Sequence, residues 1–103
     1  MADLISFDFQ ETDNGGLVVL IRGELDAAGE RAFERAVEPA LVNGRTVLVI
    51  DLSGLTFIDS TGIRCLIRAN DRANGCGMTI RFQGARGVVR RALEIVGLPD
   101  LLG

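Results

Sequence analysis

Five consecutive residues, Thr46-Val47-Leu48-Val49-Ile50, are β-branched or apolar without a break, and this run constrains the fold more than any other stretch. A strand with one face in water alternates apolar and polar residues. An unbroken run this short, bounded by Asn43-Gly44 and Asp51, reads instead as a strand covered on both faces at the centre of a sheet. Such strands sit in parallel sheets, whose neighbouring strands are reached through crossover connections that are usually helices.

The flanking sequence supplies those connections. Ile5, Phe7 and Phe9 alternate with Ser6, Asp8 and Gln10, so Leu4 to Gln10 predicts a half-buried strand. Asp13-Asn14-Gly15-Gly16 tolerates positive φ and turns the chain into a second strand, Leu17 to Arg22, making a hairpin. Gly23-Glu24-Leu25-Asp26 breaks that strand and places Asp26 to cap a helix. Phe33, Ala36, Val37, Ala40 and Leu41 form that helix's apolar stripe, and Pro39 shortens its last turns. After the central strand, Asp51 to Asp59 reads as a loop. A second helix then runs from about Thr61 to Asn74, with Ile63, Leu66 and Ile67 inward, Arg64, Arg68 and Arg72 outward, and Gly75 at its end. Met78, Ile80 and Phe82 alternate in a fourth strand. Val89, Ala92, Leu93 and Val96 mark a third helix, closed by Gly97 before Pro99. The order ββαβαβα predicts an α/β fold: a mixed, mostly parallel four-stranded sheet with an N-terminal hairpin and helices packed on it.

A chain of 103 residues, 48% hydrophobic and 24% charged, is sized for a single domain spanning residues 1–103 with a sufficient core. Its composition removes much chemistry. There is no His, Lys, Tyr or Trp, and all 11 basic residues are Arg. Ser-His and Cys-His nucleophile pairs, imidazole metal ligands, Schiff bases and the P-loop lysine are therefore excluded. Cys65 and Cys76 cannot complete a four-ligand zinc site, so no metal and no cofactor are expected. Each reads as a small buried hydrophobe. A net charge of −3 argues against nucleic acid as a partner. The charge is uneven: residues 1–50 carry 9 acids and 4 Arg, and residues 51–103 carry 5 acids and 7 Arg. The first 25 residues lack an export signal and no apolar run approaches the ~20 residues of a membrane span, which predicts a cytoplasmic protein with no direct membrane insertion.

The stretch Phe57-Ile58-Asp59-Ser60-Thr61-Gly62-Ile63 lies where a loop becomes a helix. Two readings of it stand side by side. Asp59 or Ser60 caps the helix, with Gly62 tolerated in the first turn, or Ser60 is an exposed hydroxyl at a positive helix end that accommodates an added phosphate. Other uses fail on residue requirements. An aspartic protease needs Asp-Ser-Gly or Asp-Thr-Gly, whereas Thr61 intervenes before Gly62. A receiver domain phosphorylated on Asp51 needs a lysine, and a serine hydrolase built on Ser60 needs a histidine base.

Asp59-Ser60-Thr61-Gly62-Ile63, preceded by Val47-Leu48-Val49-Ile50-Asp51-Leu52-Ser53-Gly54-Leu55, resembles the signature of the STAS domain of bacterial anti-anti-sigma factors, also called anti-sigma factor antagonists. Gly23-Glu24-Leu25-Asp26 and the segment Val89 to Leu98 resemble two further family motifs, so the likeness covers nearly the whole chain. The resemblance implies a STAS-like fold and a non-enzymatic regulator. Unphosphorylated, it binds a serine-kinase anti-sigma factor and frees a sigma factor. Phosphorylation at Ser60 switches it off, and a phosphoserine phosphatase resets it. It implies a docking face built from Asp59, Ser60, Thr61 and Gly62, with Glu24 and Asp26 as weaker candidates. Arg64 departs from the small residue common in the family at that place. It belongs to the solvated ladder with Arg68 and Arg72, or it sets partner choice or touches the phosphate. Related STAS proteins also serve as subunits of membrane lipid-transport or other signalling complexes, which is the alternative role, and a nucleotide-binding role lacks a phosphate-cradling loop here.

Overall fold

The N-terminal hairpin forms where alternation and glycines call for it. A computed structural model describes residues 4–41 and 45–98; Asn43-Gly44, expected to bound the central strand, and Pro99, expected just after the third helix, lie outside the described residues. Strand β1 (Ile5–Glu11) pairs antiparallel with β2 (Leu17–Leu25), setting Phe7 opposite Ile21 and Phe9 opposite Val19. Thr12 holds the turn: its hydroxyl accepts from the Gly16 amide at 2.9 Å and donates to the Asn14 side chain at 2.7 Å. Ile5 is buried and Phe7 half-buried, but Phe9, expected on the inner face, is 53% exposed on the edge strand of the sheet.

The remaining elements are α1 (Glu30–Val37), β3 (Val47–Ile58), α2 (Ser60–Gly75), β4 (Thr79–Gln83) and α3 (Gly87–Val96). The sheet order is β1-β2-β3-β4, with β2, β3 and β4 mutually parallel, so the run at 47–50 does lie in a central strand.

Several boundaries differ from the sequence expectation. Strand β2 does not break at Gly23 but continues to Leu25. Gly23 has φ +104°, and a Cβ there would sit 1.9 Å from the Leu4 carbonyl oxygen, so this glycine permits a close backbone approach inside the strand. Asp26 does not cap α1. Its carboxylate accepts from the Gly29 amide at 3.1 Å and closes the preceding turn, while Gly29 is the N-cap without a side-chain bond. Phe33 and Val37 are buried under the sheet, Ala36 is half-buried, and Pro39 forces the helix into a short 3₁₀ turn, Glu38–Ala40.

The expectation of a strand covered on both faces is also corrected. Leu48, Ile50 and Leu52 are fully buried, but Val47, Val49 and Asp51 on the opposite side are only half-buried, beside Val18 and Leu20 of β2. The β-branched run therefore covers one sheet face completely and the other partly. Residues 51–58 are strand, not loop. Two register shifts against β2, between Leu20 and Arg22 and between Gly23 and Glu24, each insert an extra β3 residue. Core positions consequently fall at Leu52, Leu55 and Ile58, three apart, and the period-two signal disappears.

Helix α2 buries Gly62, Cys65, Leu66, Ala69 and Ala73, an i, i+3, i+4 stripe that leaves Ile63 half-buried and Ile67, expected inward, exposed. Its left-handed terminating glycine is Gly77 and not Gly75, and Cys76, expected to be buried, is the exposed C-cap residue. In α3, Val89 and Leu93 are buried, Ala92 is half-buried and Val96 is exposed; Gly97 closes the helix at φ 69°.

Candidate functional site

Parallel strands end on the same side of a sheet, and β2 and β3 end side by side at Leu25 and Ile58. One residue later α2 begins. Asp59 is its N-cap, in extended conformation, and its carboxylate accepts from the Gly62 amide at 3.0 Å. The Asp59 backbone ties the helix start to both sides: its N–H donates to the Leu25 carbonyl at 3.4 Å, and its carbonyl accepts from the Ile63 amide at 2.9 Å.

Gly62 fixes how closely the helix sits on the sheet. A Cβ there would lie 2.2 Å from the Leu25 carbonyl oxygen and 2.7 Å from Ile58 Cγ1. The glycine is therefore required by packing rather than merely tolerated.

Because Asp59 takes the capping role, Ser60 is left as the first helical residue, exposed, with no side-chain hydrogen bond among the described residues. Thr61 is half-buried beside it. Arg64, one turn along, is exposed and has no ion pair among the described residues. Arg64, Arg68 and Arg72 are all exposed, as expected of a solvated ladder, and Arg68 also reaches across to α1, meeting Glu30 at 3.3 Å and Glu34 at 3.9 Å.

Glu24 and Asp26 flank Leu25, the residue that touches the start of α2. Both are half-buried, and Glu24 faces Phe57 across the strand pair. The fold thus gathers the two sequence-distant motifs at one end of the sheet, while among the described residues neither carboxylate bonds to Ser60. Two neighbours escaped the sequence reading. Leu25 acts through its backbone oxygen, which no side-chain pattern reveals. Phe57 is 44% exposed beside Glu24, and its position out of phase with Leu52, Leu55 and Ile58 was the available signal.

Among the described residues, the surroundings move two groups away from their ordinary values. Cys65, expected buried, is so, and burial together with the negative charges of Glu30 and Glu34 pushes its thiol up to about 11. Burial alone would raise the Asp51 carboxyl, but hydrogen bonds from the side chain and amide of Ser53 and from the Gln83 side chain, with the Arg86 charge, hold it below its ordinary value. Arg86 also donates to the Ser53 carbonyl at 2.9 Å, joining the β4–α3 connection to β3.

Among the described residues no helix is long and apolar enough to cross a membrane. The family model described as "Mlab, STAS domain" matches residues 8–103. The chain belongs to the STAS domain family. As a STAS domain it is 36% identical over 87 residues to the anti-sigma-F factor antagonist RsfB of Mycobacterium tuberculosis, covering 82% of this chain and 69% of that protein. A crystal structure of an anti-sigma factor antagonist from Mycobacterium paratuberculosis matches this STAS domain with TM-score 0.80 at 30% identity, over 90% of this chain and 78% of that one. The anti-sigma factor antagonist SpoIIAA in its unphosphorylated form matches with TM-score 0.79 at 17% identity, over 95% and 86%, a likeness of fold.

Proposed function

We propose that this STAS domain is an anti-sigma factor antagonist without catalysis of its own, acting as one unit in the cytoplasm. In its unmodified form it docks the face formed by Asp59, Ser60, Thr61, Gly62 and Arg64, with Glu24 and Asp26 at the edge, on a serine-kinase anti-sigma factor, and a sigma factor is released. The kinase phosphorylates Ser60, docking is lost, and a phosphoserine phosphatase restores it.

The observation that carries this reading is the division of labour at the start of α2. Asp59 satisfies the helix end, so the Ser60 hydroxyl has no structural duty and stands in solvent. A phosphate there adds about −1.5 to −2 charges next to Asp59, which the helix N-terminus offsets within the molecule but an interface does not. Fold is retained and binding is lost.

The test is phosphorylation by the cognate serine-kinase anti-sigma factor with ATP. Wild type should take up one phosphate and Ser60→Ala none; phosphate retained on Ser60→Ala overturns the site. Ser60→Asp should fold as wild type does while binding the kinase more weakly.

A further inference from the structure

Between β1 and α1 the surface opens into a groove of about 790 Å³, within the size range of small-molecule sites. Its floor is Ile5, Phe7 and Leu17, its wall Ala32 and Ala36, and Phe9 stands half out of it. None of its residues belongs to α2 or to the strand ends beneath Ser60, so it is separate from the docking face.

The charged residues at the groove are Arg35, Arg45 and Glu11, a net positive rim on a chain of net charge −3. They are not equivalent. The Arg45 side chain is only 23% exposed and gives one terminal nitrogen to Glu11 at 3.0 Å, while Glu11 is 74% exposed and its charge is largely spent on water. The Nε–H of Arg45 is buried with no hydrogen-bond partner, the one such side-chain atom among the described residues. With that N–H unmet and one side-chain contact among the described residues, to an acid that is itself largely in water, the guanidinium is under-compensated, and an anion at the rim adds the missing charge. Arg35 lies on the exposed side of α1 and has no ion pair among the described residues.

We infer that this groove binds a single-chain amphiphile with an anionic head, in chemical class a long-chain fatty acid. The chain lies on Phe7, Phe9 and Leu17, and the carboxylate meets Arg45 and the positive field of Arg35. Apolar lining alone would take any greasy chain; the unsatisfied guanidinium and the positive rim select the anion.

The chain has no Trp or Tyr, so the fluorescence of cis-parinaric acid, a conjugated C18 fatty acid, is read against a dark background. Saturable binding at one probe per chain, displaced by palmitate at submicellar concentration and about tenfold less well by methyl palmitate, is the expected result. Arg45→Gln and the exposed charge reversal Arg35→Glu should each weaken palmitate while leaving the ester unchanged. Ala36→Trp, which fills the groove, should abolish both. Failure to saturate, equal competition by acid and ester, or palmitate affinity unchanged in Arg35→Glu and Arg45→Gln overturns the inference. So does a dimer in sedimentation that excludes the probe, since a second copy then occupies the groove. Arg35→Glu keeps the test decisive if Arg45→Gln does not fold, and none of these outcomes depends on Ser60.

Discussion

Gly62 shows how one missing methyl group can decide a local structure. In an exposed helix, glycine to alanine gains about 1 kcal/mol of propensity. Here the new Cβ meets the Leu25 carbonyl oxygen, which β2 holds in place, so Gly62→Ala should instead lose about 1–3 kcal/mol in urea unfolding. A stabilised variant would mean that α2 does not sit this close to the sheet. Asp51 makes a second prediction at this scale. Its carboxyl is held below the unfolded value near 3.8, so its contribution is present above that pH and is lost as pH falls through the lower folded value. Asp51→Asn should therefore flatten the stability profile in that acid range and leave its shape near neutral pH unchanged. The two thiols differ in the same physical terms: titration with an aromatic disulfide at pH 8 should modify exposed Cys76 rapidly and buried Cys65 only as the domain opens. In the sequence both cysteines read alike, because burial at a helix C-cap depends on what packs over it and not on local pattern.

At the scale of elements, α2 joins a structural cap to a candidate docking face, and substitutions at Asp59 separate the two. Asp59→Asn keeps an acceptor for the Gly62 amide, whereas Asp59→Ala should cost about 1 kcal/mol in thermal or urea unfolding. Both remove the charge, so weaker kinase binding by both, with instability in Ala alone, is the expected pattern. The helices and the two alternating strands were legible because each buries one stripe and water defines the other. The second half of β3 was not. Its bulges against β2 replace period two by spacing three at Leu52, Leu55 and Ile58, and that arises from pairing with a strand about thirty residues away in sequence. Asp26 misled for a related reason. A carboxylate before a helix can close a turn as well as cap, and Gly29 sits where only the three-dimensional path of the chain selects between them.

For the whole molecule, the candidate docking face could be proposed before the fold was known because its residues adjoin in sequence, from Asp59 to Arg64. Its companions Glu24 and Asp26 came from family resemblance, and only the parallel pairing of β2 with β3 sets them beside the helix. A phosphate on Ser60 should leave the core untouched: amide resonance shifts should be confined to the first turn of α2 and the segment around Leu25, with protection of β3 amides unchanged. The same parallel pairing also shapes how the chain reaches its native state. Strands β1 and β2 meet through a tight turn, but Leu17 must find Leu48 across the whole of α1 before β2 gains its parallel partner, and Leu48 must find Ile80 across α2. Closing those loops costs entropy before any contact rewards it, so the rate-limiting barrier to folding should lie at the parallel seams on either side of β3. The hairpin is then an early, locally stabilised species whose open edge waits for β3, and conservative truncations at Val19 or Ile50 should slow refolding where those at Phe9 do not.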